Sequence, residues 1–338
     1  MSAPLVVLDA DVLGRERTGD ETYVENLLRQ LPALAAGDLR FAAVTRRLDL
    51  VPDGIEPLAL PARLQELRMA WSLPRLLRRL RPALGHFQHA LPLSCPCPAV
   101  VTIHDLSFER EPRLMPPKDR FVFRRVVPRA AKRAARVFAV SERTKADLVE
   151  LYGVPSDRIV VTPNGVDPAF TPGDTDGGGY LLFVGAIQER KNPLAAADAA
   201  TSFGLPLVVA GPERDAELSR ELRLRGADLR GYVDKPALAE LYRGAACLVM
   251  PTRYEGFGLP VLEAMACGTP VVAFPDAAVR EVAGGAAVLA EDGDLAAAVR
   301  RALADRQRLA AAGLERARLF SWEETARRTL AVYREVIG

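Results

Sequence analysis

Short apolar runs alternate with longer amphipathic stretches along almost the whole chain, and this alternation limits the possible folds more than any other feature. A strand, a helical pattern and another strand, repeated, imply parallel sheets wrapped by helices. In the first half, strands are expected at Leu5–Leu8, Phe41–Thr45, Leu84–Phe87, Val100–Ile103, Arg136–Val140 and Ile159–Thr162. Ser141 suits the N-cap of a helix ending near Gly153. The pattern then breaks at Thr171–Gly179, where proline is the only apolar residue. It restarts with Tyr180–Val184, Leu207–Ala210, Asp228–Gly231, Cys247–Met250 and Val271–Phe274. The expectation is an α/β chain of two Rossmann-like, doubly wound domains, 1–171 and 180–320, joined by a Gly-rich hinge at 172–179. No short-period repeat interrupts this reading.

A chain of 338 residues, 49% hydrophobic and 26% charged, has room for two cores of ordinary size. A net charge of +2 gives no global case for nucleic acid. Locally the charge is uneven. Arg63, Arg68, Arg75, Arg78, Arg79 and Arg81 face only Glu66, and a second run holds Arg120, Arg124, Arg125, Arg129, Lys132, Arg133 and Arg136. Two readings stand: a solvated helix face, or peripheral contact with an anionic lipid or polyanionic acceptor. Cys247 and Cys267 read as small core residues. Cys95-Pro-Cys97 is too close for ordinary disulfide geometry and lacks metal-ligand company. Met1–Ala10 runs straight into a strand with no basic leader pattern, and no window approaches ~18 uninterrupted apolar residues. The expected location is the cytoplasm, with the Arg-rich first half as the part that would meet the inner face of a membrane.

Ligands of such sheets bind beyond the carboxyl ends of the strands. The most informative segment there is Pro251–Pro270, after the strand Cys247–Met250. Pro260 suits a first helical turn, and Gly268 with Pro270 marks a stop, so a short helix is expected from about Leu259 to Cys267. Gly256 and Gly258 precede it and leave backbone N–H groups open to an anion such as a diphosphate. Glu255 lies before the helix and Glu263 roughly one turn inside it, so they can reach different ends of one ligand. The plainer reading makes Glu255 a cap and Glu263 a solvated residue.

Glu255 and Glu263 form an E-x7-E pair, and the whole segment resembles the signature of retaining glycosyltransferase family 4, which has the GT-B fold and includes bacterial mannosyl- and glucosyltransferases. Thr102-Ile-His104-Asp105 resembles that family's His-Asp turn. Ser141–Lys145 and Val161–Asp167 resemble its markers before the hinge. Val184–Asn192 resembles its Gly…Arg-Lys donor loop, and Phe320–Ala326 its closing helix, here expected over 321–338 and packed on the first domain. The resemblance implies donor contacts from Gly185, Arg190, Lys191, Gly231, Tyr232, Val233, Glu255, Gly256, Phe257, Gly258, Leu259 and Glu263. It implies catalytic roles for His104, Glu255, Arg190 and Lys191. The residues agree: an arginine fork and a lysine point charge after a first βα turn suit a leaving diphosphate. His104, ending its strand, would face the sugar across the cleft, although a strand-end histidine is also often structural.

One loop departs from the family. Arg17–Leu27 keeps Gly19 and Tyr23, but Glu21 stands where a second glycine is expected, and an acid there would repel a diphosphate. This loop is therefore assigned to the acceptor side, with Gly19, Asp20, Tyr23, His89 and Asp105. Asp9-Ala-Asp11 is formally a D-x-D but has no further acid or histidine cluster, so no metal site is expected. His86 and His89 lie on or beside a strand and read as acceptor-pocket lining. The expected activity is retaining, metal-independent transfer of a hexose from GDP-mannose or a UDP-sugar to a glycan or lipid-linked glycan, with no further cofactor. A sugar-nucleotide epimerase, a phosphorylase or a non-catalytic sugar-nucleotide sensor on the same fold remain alternatives.

Overall fold

The computed structural model describes residues 3–15, 18–60, 64–115, 117–173, 177–291 and 293–338. The chain divides into two units, Met1–Gly165 with Trp322–Gly338, and Val166–Ser321. Among the described residues the first unit holds a seven-stranded parallel sheet: β1 (Leu5–Asp9), β2 (Arg40–Thr45), β3 (Ile55–Ala59), β4 (Leu84–Gln88), β5 (Ala99–Ile103), β6 (Arg136–Ala139) and β7 (Ile159–Val161), in the order β3-β2-β1-β4-β5-β6-β7. The second holds β8 (Leu181–Val184), β9 (Leu207–Ala210), β10 (Asp228–Gly231), β11 (Cys247–Met250), β12 (Val271–Ala273) and β13 (Val288–Leu289), in the order β10-β9-β8-β11-β12-β13. In each sheet the order reverses beside the first strand, which is the Rossmann arrangement. The central strands β5 and β11 are buried at every position because helices cover both faces.

Two edge strands were not expected from the sequence. β3 contains Pro57, and the adjacent exposed pair Glu56 and Pro57 hides the alternation. β13 is only two residues long. The division between units comes before the expected boundary at 171, because the Val166 amide donates to Phe320 O (3.2 Å) and Val166 pairs in parallel with Ser321. Pro172 and Gly173 accordingly lie within the second unit, and residues 174–176 of the expected hinge are outside the described residues. The C-terminal helix Trp322–Ile337 belongs to the first unit, with Thr325 Oγ1 donating to Pro163 O and Tyr333 fully buried.

The segment around Gly19 is not a loop. Gly19, Asp20, Glu21 and Tyr23 stand in the opening turns of a helix, Thr18–Ala35. This accounts for the acids: a helix N-terminus favours negative charge, and Glu21 Oε1 accepts from the Gly14 amide at 2.5 Å. Asp9 and Asp11 are also occupied. Arg68, fully buried in a π-helical turn (Arg68–Ser72), donates to both Asp9 oxygens, and Arg46 and Arg15 pair with Asp11. The D-x-D carboxylates are thus neutralised by arginines. Arg68 is not part of a solvated basic face, as its place in the first basic run suggested.

Candidate functional site

In the second unit three adjacent strands, β8, β9 and β10, end on glycines with positive φ: Gly185 (143°), Gly211 (149°) and Gly231 (63°). The Gly185 amide donates to Ala210 O (2.8 Å), and the Gly211 amide to Gly231 O (2.7 Å). A Cβ on Gly211 would lie 2.1 Å from Gly185 O, inside any tolerable contact with backbone. Gly211 therefore lets two strand ends approach and presents Gly185 to the loop above it. Gly211→Ala is expected to destabilise the protein by at least about 1–3 kcal/mol from backbone strain alone. Thermal melting checks this, and an unchanged midpoint would refute the tight packing of these strand ends.

The loop after β8 turns through Glu189–Lys191 and enters the helix Pro193–Phe203 through Asn192. Arg190 Nη1 donates to Tyr254 O (2.5 Å), while the Arg253 amide donates to Arg190 O (3.1 Å). Lys191 runs over Gly185, its Cε 3.7 Å from where a Cβ would stand, and forms an ion pair with Glu255 Oε1. Both partners are nearly buried. Glu255, Gly256, Phe257 and Gly258 are buried, and Gly258 (φ 101°) starts the helix Leu259–Ala266 with no side-chain cap on its first amides. The loop thus brings a cation pair and a helix N-terminus to the carboxyl ends of β8 and β11, a suitable seat for a diphosphate.

Glu263, inside that helix, is not a solvated residue. Its Oε2 accepts from the hydroxyl of fully buried Tyr242 (2.8 Å). Burial raises its pKa to about 7; the Tyr242 hydrogen bond works against this, the charge of Asp167 adds to it, and Lys235 opposes it. Lys235 itself pairs with Asp167 at 2.6 Å. After β10, Tyr232 is exposed, Val233 is half-buried, and Asp234 caps the helix Lys235–Gly244 by accepting from the Ala237 amide.

In the first unit, His104 follows β5 and its Nε2 lies 2.9 Å from Gln88 Oε1. That oxygen only accepts, so Nε2 carries the proton and Nδ1 presents a lone pair. Burial lowers the His104 pKa to about 4, which keeps the ring neutral at neutral pH. Its Nδ1 is 3.9 Å from Asp20 Oδ1, and His89 Nε2 is 3.6 Å from Asp20 Oδ2. Burial pulls the His89 pKa down, but the Asp20 carboxylate outweighs it and leaves the pKa raised. His89 adopts a left-handed backbone (φ 57°), and its buried Nδ1 has no hydrogen-bond partner. The nearest ligand atoms of Asp20, His89 and His104 all lie within 4.8 Å of one another. Among the described residues these three side chains could together hold a cation, a grouping that their separate places in the sequence do not show.

Family models match both halves of the chain: Glycosyltransferase Family 4 over residues 17–170, and Glycosyl transferases group 1 over residues 178–305. O-antigen chain mannosyltransferase B of Escherichia coli is 31% identical over 267 residues, 70% of each chain. The chain belongs to glycosyltransferase family 4. D-inositol 3-phosphate glycosyltransferase of Geodermatophilus obscurus is 37% identical over 235 residues, 59% of this chain and 52% of that one, so this glycosyltransferase spans about half the length of such relatives. Solved structures confirm the GT-B fold. Sucrose-phosphate synthase from Thermosynechococcus elongatus superposes with a TM-score of 0.78 at 22% identity over 98% of both chains. Anabaena HepE in complex with UDP and glucose gives 0.74 at 15% identity, over 98% of this chain and 99% of its own.

Within the glycosyltransferase, the expected donor residues fall at the carboxyl end of the second sheet. The acceptor-side set is more divided. Tyr23 has no exposed surface; its hydroxyl bonds Thr102 Oγ1 (3.1 Å) and its ring stands edge-on to His104 at 4.9 Å. It therefore supports His104 from beneath and touches no ligand. His86 is likewise internal, held between Tyr333 and Thr102, and burial drives its pKa to about 3. Asp105 is spent locally, accepting from the amide and hydroxyl of Ser107. Gly19, Asp20 and His89 are half-buried, with the Asp20 carboxylate turned toward His89 and His104. Gly211 was missed, although a Gly-Pro pair directly after a buried strand was a usable signal.

Proposed function

We propose that this glycosyltransferase moves a hexose from a nucleoside-diphosphate sugar to a glycan or lipid-linked glycan with retention of anomeric configuration and without a metal ion. The observation that carries the reading is Lys191, ion-paired to Glu255 and passing over Gly185 beside the uncapped helix at Gly258. When the glycosidic bond breaks, negative charge grows on the diphosphate. Arg190, Lys191 and the amides after Gly256 are fixed where they would stabilise it. Positive charge grows on the sugar ring, and the Glu255 carboxylate would lie on that side. His104, neutral and oriented by Gln88, would accept a hydrogen bond from a sugar hydroxyl. Glu263 and the loop Gly231–Asp234 would hold the ribose and base.

The relatives support a hexose and a nucleotide donor: one is named a mannosyltransferase, and HepE binds UDP and glucose. GDP-mannose and UDP-glucose are thus the first donors to test. Among the described residues no helix is long and apolar enough to cross a membrane, consistent with action in the cytoplasm or at the inner membrane face. Donor hydrolysis by the pure protein, screened over GDP-mannose, UDP-glucose and UDP-N-acetylglucosamine, tests the reading. Turnover of none of them, with nucleotide binding intact, would favour a sensor. Activity is expected to survive excess EDTA, because Asp9 and Asp11 are held by arginines. Loss on chelation with recovery on adding manganese or zinc would overturn metal independence and direct attention to Asp20, His89 and His104.

A further inference from the structure

Three neighbouring strands of the first unit, β1, β4 and β5, deliver a carboxylate and two imidazoles to one place. Asp20 stands in the opening turn of the helix that follows β1, His89 directly follows β4, and His104 directly follows β5. The β4–β5 ladder sets the two histidines side by side. Gln88 pairs with Thr102, and the His89 amide donates to Thr102 O (2.9 Å). Each ring packs against an aromatic neighbour. His104 stands edge-on to Tyr23 at 4.9 Å, His89 lies 5.9 Å from Phe123, and the two imidazoles are 5.1 Å apart. The Asp20 carboxylate reaches both of them, 3.6 Å from His89 Nε2 and 3.9 Å from His104 Nδ1. The field of Asp105 also acts on both rings, so two negative charges favour a cation here.

We propose that Asp20, His89 and His104 form an inhibitory binding site for a divalent cation of the zinc class, liganded by His104 Nδ1, His89 Nε2 and an Asp20 carboxylate oxygen. The donor set selects the ion. Two imidazole nitrogens and one carboxylate suit zinc, whereas magnesium and calcium take oxygen ligands. Bonds of about 2.0–2.1 Å put tetrahedral ligands about 3.3 Å apart, so the two separations to Asp20 need close by only about 0.3–0.6 Å. Outer support is also in place. A zinc-bound histidine donates its other ring N–H to an acceptor, and His104 Nε2 donates to Gln88 Oε1 (2.9 Å). That hydrogen bond fixes the tautomer whose Nδ1 lone pair a metal can take. The cation is not needed for the transfer proposed above but opposes it. On that reading His104 Nδ1 accepts from a sugar hydroxyl, and a bound metal occupies the same lone pair. Inhibition therefore rests on the glycosyl-transfer reading, while the binding site rests only on the three side chains.

The binding experiment needs no donor. It uses the full chain carrying Cys95→Ser and Cys97→Ser, because those thiols, with Sγ atoms 3.8 Å apart, are a second place for a soft cation. Titration with cobalt(II) should give the visible bands of a four-coordinate site without a thiolate charge-transfer band, and zinc should displace the cobalt. Zinc affinity, read by competition with a chromophoric chelator, should fall at least about 10-fold in His89→Asn and in Asp20→Asn. Asparagine tolerates the left-handed backbone at position 89 (φ 57°) and keeps the shape at position 20, and melting without metal checks that both variants fold. Absence of cobalt bands and of zinc binding would overturn the site, as would an affinity unchanged in both variants. Donor hydrolysis should fall on adding zinc and recover with EDTA, and His89→Asn should need at least about 10-fold more zinc for the same inhibition. Zinc that binds through these residues yet leaves hydrolysis untouched would overturn the inhibition and the His104 contact with sugar. The binding result stands whatever the donor screen gives, so failure of the site and failure of the glycosyl-transfer reading are told apart.

Discussion

Lys191→Met is expected to lower kcat by roughly 10²-fold or more, about 2.7 kcal/mol of transition-state stabilisation, with a smaller change in donor affinity. Two effects add. The substitution removes a fixed cation from the place where diphosphate charge develops, and it leaves the Glu255 carboxylate, only 7% exposed, without its ion-pair partner. An uncompensated buried anion beside a diphosphate repels it, so the single substitution overstates the worth of the cation itself. The double variant Lys191→Met, Glu255→Gln separates the two. If part of the loss comes from the stranded carboxylate, the double variant will fall by less than the product of the single effects. A Lys191→Met enzyme within a few-fold of wild type would remove Lys191 from the catalytic machinery and with it the proposed seat of the diphosphate.

The sequence carried the fold well, for a physical reason. Strands buried on both faces, such as Val100–Ile103 and Cys247–Met250, must be almost wholly apolar, and the helices between them must be amphipathic, so the βα alternation shows without any alignment. Edge strands escape this rule: β3 tolerates Pro57 because one side lacks a neighbour. The donor site was legible because glycines, a helix-opening proline and two glutamates occupy one continuous stretch. The first unit was less so, since roles there depend on contacts between distant residues. Nothing local to Tyr23 shows that Thr102 takes its hydroxyl, and nothing local to Arg68 shows that it is the counter-ion of Asp9. The start of the helix Thr18–Ala35 resembles a glycine loop through Gly19, whereas acids such as Asp20 and Glu21 are what a helix N-terminus favours.

Glu255 and Glu263 should separate cleanly in kinetics, because they stand in different electrostatic settings. Glu255→Gln keeps the shape and removes the charge that would face the developing oxocarbenium, so kcat should fall about 10²-fold or more. Nucleotide affinity should be kept or rise, since an anion beside the diphosphate is gone and Lys191 is released toward it. Glu263→Gln should leave saturated turnover much less affected and weaken nucleotide binding, because contacts to ribose hydroxyls are the same in ground and transition states. Its pKa adds a second signature. Burial holds the Glu263 carboxyl at about 7, so wild-type nucleotide affinity should decline by up to about 10-fold per pH unit as pH falls below that value. The glutamine variant should show no such slope. Stability follows the same linkage. A carboxyl whose folded pKa is raised favours the folded state at pH values below its unfolded pKa, and this contribution is lost as pH rises through about 7. Glu263→Gln should therefore melt higher than wild type at about pH 8, with the gain shrinking toward about pH 5. Calorimetric nucleotide titrations across this range, beside steady-state kinetics on both variants, decide the assignment. Exchanged phenotypes, or a wild-type affinity flat through neutral pH, would show that Glu263 does not hold the ribose.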